Sequence, residues 1–323
     1  MRIVIIGGSG HVGSFLVPNL ISAGHEVVNL TRGKAPPYVD DDAWAKVVKI
    51  QVDRAAEDAA GTFGHRVLAL EPEVVIDMIC FTTESARALV EALRGRVRHL
   101  IHCGSIWRYG MSVKLPIKED DTSPPFGEYG TAKAAIAEML AAETRSGGLL
   151  TTVLHPGHIS GPGWQPIGPL GNLDPGVWYA LSAGLEIPVP GSGTELMHHV
   201  HAADVAQAFQ LAVEHPEAAG GQSFNVAASA ALTVRGFMAI AASWFGQIAN
   251  TRSVSWEEFR AGTAVESADS SWQHLSRSHF VSIDKARRLL GYIPAYEPEA
   301  AVLSGIRSLI THNQLQIAAP LIL

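Results

Sequence analysis

Cysteine is nearly missing: Cys80 and Cys103 are the only two in 323 residues. Each lies in an apolar segment, which speaks for buried free thiols rather than a disulfide framework and fits a reducing, cytoplasmic setting. Charge is also sparse, at 17% of residues with a net charge of -7 and no long basic run. That composition disfavours nucleic acid as the main partner. No apolar run approaches the roughly 18 residues of a membrane span. The N-terminal apolar run ends in glycines after about four residues, too short for a signal peptide, and reads as a strand. Internal repeats and low-complexity tracts are lacking as well. What is abundant is core material, with 47% hydrophobic residues, enough for a two-lobed protein or one large α/β domain.

Two periods alternate along the first half. Strand-length apolar runs occur at Ile3–Ile6, Glu26–Leu30, Val47–Val52, Val74–Ile79, Leu100–Cys103 and Leu150–Leu154. Between several of them, apolar residues recur three and four apart, at Val12–Ala23, Thr83–Arg94 and Tyr129–Thr144. Strands alternating with helices predict βαβ crossovers and a parallel sheet, and near-continuous apolar strands predict helices on both faces. The expected fold is therefore α/β, a Rossmann-type doubly wound parallel sheet with a smaller C-terminal substrate lobe. Beyond about Gly157 the texture changes to a Gly- and Pro-rich loop. Helices are read at "GVWYALSAGLEI", "ADVAQAFQLAVEHP", "TVRGFMAIAASWFG" and "IDKARRLLGY", and a late strand at "FNVAAS". The dinucleotide-binding domain is expected over 1–160 plus about 196–228, and the substrate lobe over about 161–195 plus 229–323.

The opening "MRIVIIGGSGHVGS" runs a strand into Gly7, Gly8, Gly10 and Gly13. A strand, a glycine turn and a helix in that order form an anion site, because the helix N-terminus offers unpaired N–H groups and the positive end of its dipole. Glycines let a pyrophosphate approach the backbone. Gly7, Ser9, Gly10, His11, Val12 and Gly13 are the residues expected to cradle it. At the end of the second strand stands Arg32, where an NAD site usually carries an acidic residue for the ribose 2′-OH. A guanidinium there can grip a 2′-phosphate, so NADP(H) is favoured and NAD(H) stays open.

Tyr129 and Lys133 in "EYGTAK" are four apart, hence on one face of a helix. Ser105 sits where the strand before that helix emerges. Together they can serve hydride transfer. The Tyr acts as general acid or base, the Ser holds the substrate oxygen, and the Lys binds the nicotinamide ribose. A phenol has a free pKa of about 10. A neighbouring ammonium is expected to lower it. The stretch "MHHVHAAD" groups His198, His199 and His201, but no matching Cys or carboxylate set accompanies it, and no metal is expected.

With these motifs in hand, the chain resembles the extended short-chain dehydrogenase/reductase family in its epimerase/dehydratase branch. The resemblance also runs through "VDR", "GSIWRYG", "LHPGHISGPG", "IPVPGSG", "VHAADVAQAF" and "DKARRLLGY". It implies that Ser105, Tyr129 and Lys133 are catalytic, that Asp53 contacts adenine, and that Pro156 and His158 lie near the nicotinamide. It implies a sugar or sugar-nucleotide substrate. A homodimer built on the helices near Thr83–Arg94 and Tyr129–Thr144 is also implied. The chain departs from the pattern at His155 and at Met197, where sugar-nucleotide epimerases carry arginines, and in "VVIDMICFTTESA". These departures resemble a divergent subgroup that includes chloroplast stem-loop-binding proteins. Asn172 and Arg277 stay candidates for phosphate contact. Two alternatives remain beside an epimerase/dehydratase-type oxidoreductase: an NADPH-dependent carbonyl reductase of a smaller substrate, and a cofactor-binding regulatory or RNA-binding protein on the same fold.

Overall fold

Alternation inside the first strand builds the molecule's two main cores. In β1 (Arg2–Ile6) the side chains of Ile3 and Ile5 pack on one face, and those of Val4 and Ile6 on the other. All four are fully buried, as the period-2 geometry of a strand covered on both sides requires. The first face is covered by the helices Gly13–Ser22, Ala202–Glu214 and Asp284–Leu290. The second is covered by Phe63–Leu68, Thr83–Leu93 and Glu128–Arg145. The computed structural model describes residues 1–34 and 36–322.

The further strands are β2 (Glu26–Thr31), β3 (Val48–Gln51), β4 (Val74–Asp77), β5 (His99–Cys103), β6 (Thr151–Pro156), β7 (His158–Ser160), β8 (Ile187–Pro190), β9 (Leu196–Met197), β10 (His199–His201) and β11 (Ser223–Val226). Seven of them form one sheet in the order β11-β6-β5-β4-β1-β2-β3, and every pair in it is parallel. The chain order reverses beside β1, with β2 on one side and β4 on the other. A crevice at that switch point, beyond the carboxyl ends of the strands, is where such sheets take ligands. A third core gathers Trp178, Val189, Met197, Phe237, Val302 and Ile306 from later elements. No helix among the described residues is long and apolar enough to cross a membrane.

The helix read through "GVWYALSAGLEI" stops early. It spans Gly176–Ala183, Gly184 turns left-handed at φ 66°, and Ile187–Pro190 becomes a strand paired with Thr251–Val254. Both cysteines are free, Cys80 buried and Cys103 half-buried.

An ion pair that sequence reading did not foresee lies under the second face. Arg54 Nη1 donates to Asp77 Oδ1 at 2.6 Å, with both side chains buried. Arg54 Nε also reaches Asp58 at 3.3 Å and Ser85 Oγ at 3.1 Å. Removing one partner strands a buried charge, which costs about 3–5 kcal/mol. Arg54→Met is therefore expected to lower the urea-unfolding free energy by about that amount. A loss within about 0.5 kcal/mol, the range of surface substitutions, would contradict the assignment.

Candidate functional site

The glycine turn between β1 and the helix Gly13–Ser22 is held from several sides. Gly7 takes φ +87°. Gly8 N donates to Asn29 Oδ1 at 2.9 Å, Gly10 N to the Gly7 carbonyl at 3.2 Å, and the Ser9 and Thr31 hydroxyls meet at 2.9 Å. A Cβ on Gly13 would run into the Gly8 carbonyl, so the helix start and the turn touch through bare backbone. The amides of Ser9, His11, Val12 and Gly13 make no hydrogen bond with the described backbone. Four unpaired N–H groups at a helix N-terminus suit a pyrophosphate, and the cradle therefore fits a dinucleotide.

His11 lies within this turn. Its ring stacks on Trp164 with centroids 5.3 Å apart and meets the edge of Tyr38 at 5.8 Å. Burial, with a smaller push from His201, drives its pKa down to about 4. Arg32 follows β2 and is exposed, with the equally exposed Lys34 nearby. Asp53 is exposed, and its carboxylate accepts from Ala56 N at 3.2 Å, capping the helix Arg54–Ala59.

Ser105, Tyr129 and Lys133 come together at the carboxyl end of β5. Ser105 caps the 3-10 turn Ile106–Arg108, its Oγ accepting from Trp107 N at 3.1 Å. Tyr129 is the second residue of the helix Glu128–Arg145, which begins after the left-handed Gly127. Its ring meets Trp107 edge-on at 5.8 Å and Phe81 at 6.4 Å. Gly130 lets the helix approach the turn, since a Cβ there would lie 2.6 Å from the Trp107 carbonyl oxygen. One turn further on, Lys133 is buried and its Nζ donates to the carbonyls of Cys80 at 2.8 Å and Cys103 at 2.7 Å.

The electrostatics of the phenol differ from the expectation. Tyr129 is 41% exposed as a residue, yet desolvation pushes the phenol pKa up to about 12. The Ser105 hydroxyl offsets part of this rise. The Lys133 amine is committed to two backbone carbonyls rather than to the phenol. Burial in turn lowers the Lys133 pKa.

Pro156 ends β6 and His158 opens β7, with His158 N donating to the His198 carbonyl at 2.8 Å. His158 packs 5.1 Å from His274, which meets Trp107 at 4.8 Å. His274, on the helix Val265–Leu275, was not singled out from sequence; no local pattern marks it. The two candidate phosphate contacts make hydrogen bonds within the protein, and Arg277 Nε is left buried without a partner among the described residues. Asn172 donates to Ser271 Oγ and accepts from Asp174 N, both at 2.9 Å. The Arg277 guanidinium lies between Phe126 at 3.7 Å and Trp107 at 4.0 Å. Its Nη atoms donate to the Phe126 carbonyl and to the Gln273 carbonyl and Oε1. Among the described residues, no group of three or more His, Cys, Asp or Glu is arranged to hold a metal ion.

A sequence model described as the NAD dependent epimerase/dehydratase family matches residues 3–227. The chloroplast stem-loop binding protein of 41 kDa b from Arabidopsis thaliana is 29% identical over 309 residues, 92% of this chain and 76% of that one. A 2'-dehydrokanamycin reductase from Streptomyces kanamyceticus is 28% identical over 221 residues, covering 68% of this chain and 60% of the reductase. Among solved structures, a UDP-glucuronic acid 4-epimerase from Bacillus cereus, in complex with UDP-glucuronic acid and NAD, superposes with a TM-score of 0.73 at 16% identity. That superposition covers 97% of this chain and 100% of the epimerase.

Proposed function

The chain belongs to the NAD dependent epimerase/dehydratase family, and from that premise we propose an NAD(P)-dependent oxidoreductase acting on a hydroxyl or carbonyl carbon of a sugar-type substrate. The observation that carries this reading is the gathering of Ser105, Tyr129 and Lys133 at the carboxyl end of β5, on the same edge of the sheet as the glycine turn. In this reading Ser105 Oγ holds the substrate oxygen and Tyr129 Oη exchanges a proton with it. Lys133 fixes the β4 and β5 ends through the Cys80 and Cys103 carbonyls and faces the ribose of the bound dinucleotide. The nicotinamide ring, when bound, supplies the hydride acceptor and donor. Residues 161–195 and 229–323 form the substrate side. Two copies meet on the helices Thr83–Leu93 and Glu128–Arg145, neighbours on one face that the Arg94–Glu143 pair also joins at 2.7 Å.

A second reading is net reduction of a carbonyl. Tyr129, its pKa pushed up to about 12, is protonated at neutral pH as an ordinary phenol is, and can act as an acid toward a carbonyl oxygen. The relative named as a 2'-dehydrokanamycin reductase agrees with that direction.

The cofactor is proposed to be NADP(H) in preference to NAD(H), on the exposed Arg32 at the end of β2. Titration with NADPH and NADH, followed by fluorescence, tests both statements. Uptake of neither dinucleotide overturns the function. Arg32→Ala is expected to weaken NADPH about tenfold, the worth of a charge-assisted phosphate contact, and to leave NADH within about twofold. Equal effects on both would remove Arg32 from the 2′-phosphate.

A further inference from the structure

The glycine turn is pinned unevenly along its length. On the strand side, Asn29 Oδ1 holds Gly8 N at 2.9 Å and Thr31 holds the Ser9 hydroxyl at 2.9 Å. Past Gly10 the handles are the side chains of His11 and Val12. Val12 is buried in the first core. His11 is 8% exposed, and neither of its ring nitrogens has a hydrogen-bond partner among the described residues. Packing therefore sets the orientation of the ring. It stacks on Trp164 at 5.3 Å with an interplanar angle of 20°, and it meets the edge of Tyr38 at 5.8 Å. Tyr38 and Trp164 meet each other edge-on at 6.0 Å, which closes a box of three rings.

Both outer rings are anchored in their own right. Tyr38 N donates to Ser14 Oγ at 2.9 Å, and that hydroxyl donates to the Gly10 carbonyl at 2.9 Å. Tyr38 is thus joined, through one serine, to the turn itself. Trp164 is held from the far side, where its chain neighbour Gly163 donates from N to Ser308 Oγ at 3.0 Å on the helix Pro298–Thr311. A Cβ on Gly163 would lie 2.6 Å from Tyr38 Cδ1, so the two loops touch through bare backbone. Among the described residues the three cores contain neither Tyr38 nor Trp164, which are 38% and 45% exposed. Core packing therefore does not account for the box. A turn built on glycines loses much conformational freedom when it is ordered. A clamp on its His11 side chain orders it in advance, and a site ordered in advance binds its ligand more tightly.

We infer that Trp164 and Tyr38 are positioning residues for the dinucleotide: they hold the His11 ring, and through it the His11 and Val12 amides, in the geometry that takes the pyrophosphate. The inference rests on the NAD(P)-dependent reading above and adds that the substrate side, which carries Trp164, braces the cofactor turn. Calorimetric titration of the full chain with NADPH and with NADH tests it, with ADP measured by competition as a probe that carries the pyrophosphate but no nicotinamide. Trp164→Ala is expected to raise the Kd of both dinucleotides and of ADP about tenfold, the worth of one aromatic pair, at undiminished stoichiometry. Both dinucleotides move alike because the pyrophosphate is common to them, in contrast to Arg32→Ala. Trp164→Phe keeps a flat ring and is expected to hold each Kd within about threefold of wild type. Trp164→Leu fills space without a flat face; it is expected to match Trp164→Ala and serves if the alanine variant does not fold. Kd values within about twofold of wild type in Trp164→Ala or Trp164→Leu overturn this inference and leave the oxidoreductase reading standing. Lowered stoichiometry at unchanged Kd makes Trp164 a matter of stability alone and overturns it too. Loss for the dinucleotides but not for ADP moves Trp164 to the nicotinamide end and likewise overturns it. Uptake of neither dinucleotide by the wild-type chain sinks the NAD(P)-dependent reading and this inference with it.

Discussion

Tyr129→Phe is expected to lower kcat by about 10²–10⁴-fold, the usual worth of a positioned general acid or base. The NADPH Kd should stay within about twofold. The substitution removes one oxygen and keeps the ring. The edge contacts with Trp107 at 5.8 Å and Phe81 at 6.4 Å are retained, and so is the helix start at Glu128. Lys133 is untouched, because its amine is anchored to the Cys80 and Cys103 carbonyls rather than to the phenol. Loss confined to kcat therefore identifies a proton-transfer role, while a rise in KM alone would point to binding. Ser105→Ala is a graded control. Its hydroxyl lowers the Tyr129 pKa, so its removal should slow turnover and move the alkaline limb of the pH–rate profile upward. Single-turnover hydride transfer followed at the nicotinamide absorbance reads both variants. A Tyr129→Phe enzyme with wild-type kcat would remove the phenol from the chemistry.

The parts legible in the sequence were those that local pattern dictates. The alternation of Ile3 and Ile5 against Val4 and Ile6 announces a strand covered on both faces. The glycines that follow announce the close approach of Gly13 to Gly8, which a single Cβ would block. The spacing of Tyr129 and Lys133 needs only one helical turn. What stayed hidden depends on partners far away in the chain. Strands of two to four residues, such as Leu196–Met197 and Thr251–Val254, exist through pairing with Leu232–Thr233 and Ile187–Pro190; alone they carry no period. His274 reaches His158 and Trp107 only because the helix Val265–Leu275 folds back onto the sheet. The rise in the Tyr129 pKa was likewise out of reach, since spacing puts an ammonium on the same face but says nothing of how far burial desolvates the phenol. Asn172 and Arg277 are candidate phosphate contacts through the family resemblance; the bonds that engage the Asn172 amide and both Arg277 Nη atoms, and the bare Arg277 Nε, come from partners far away in the chain.

Acid is expected to unfold this protein well above the range in which carboxylates titrate. Burial lowers the pKa of His11, His99, His198, His201, His274 and His279 to about 4 and of His199 to about 3. It drives His102, His155 and His158 well below the usual value. In each case the folded state keeps the ring neutral, while the unfolded chain takes up a proton below about pH 6.5. The unfolded state then binds more protons, and stability falls as pH drops from about 6.5 toward 4. Each such ring contributes about 1.4 kcal/mol per pH unit within that window. Ten rings acting even at half strength would exhaust the 5–15 kcal/mol of a typical domain within one to two pH units. Asp204 and Glu119, whose carboxyls burial raises, act in the opposite sense, and two groups do not offset ten. The urea midpoint should be flat from pH 8 to 7, fall steeply below 6.5 and vanish near pH 5. The steepest part should take up several protons per molecule. A midpoint unchanged between pH 7 and pH 5 would mean that these imidazoles reach water in the folded state.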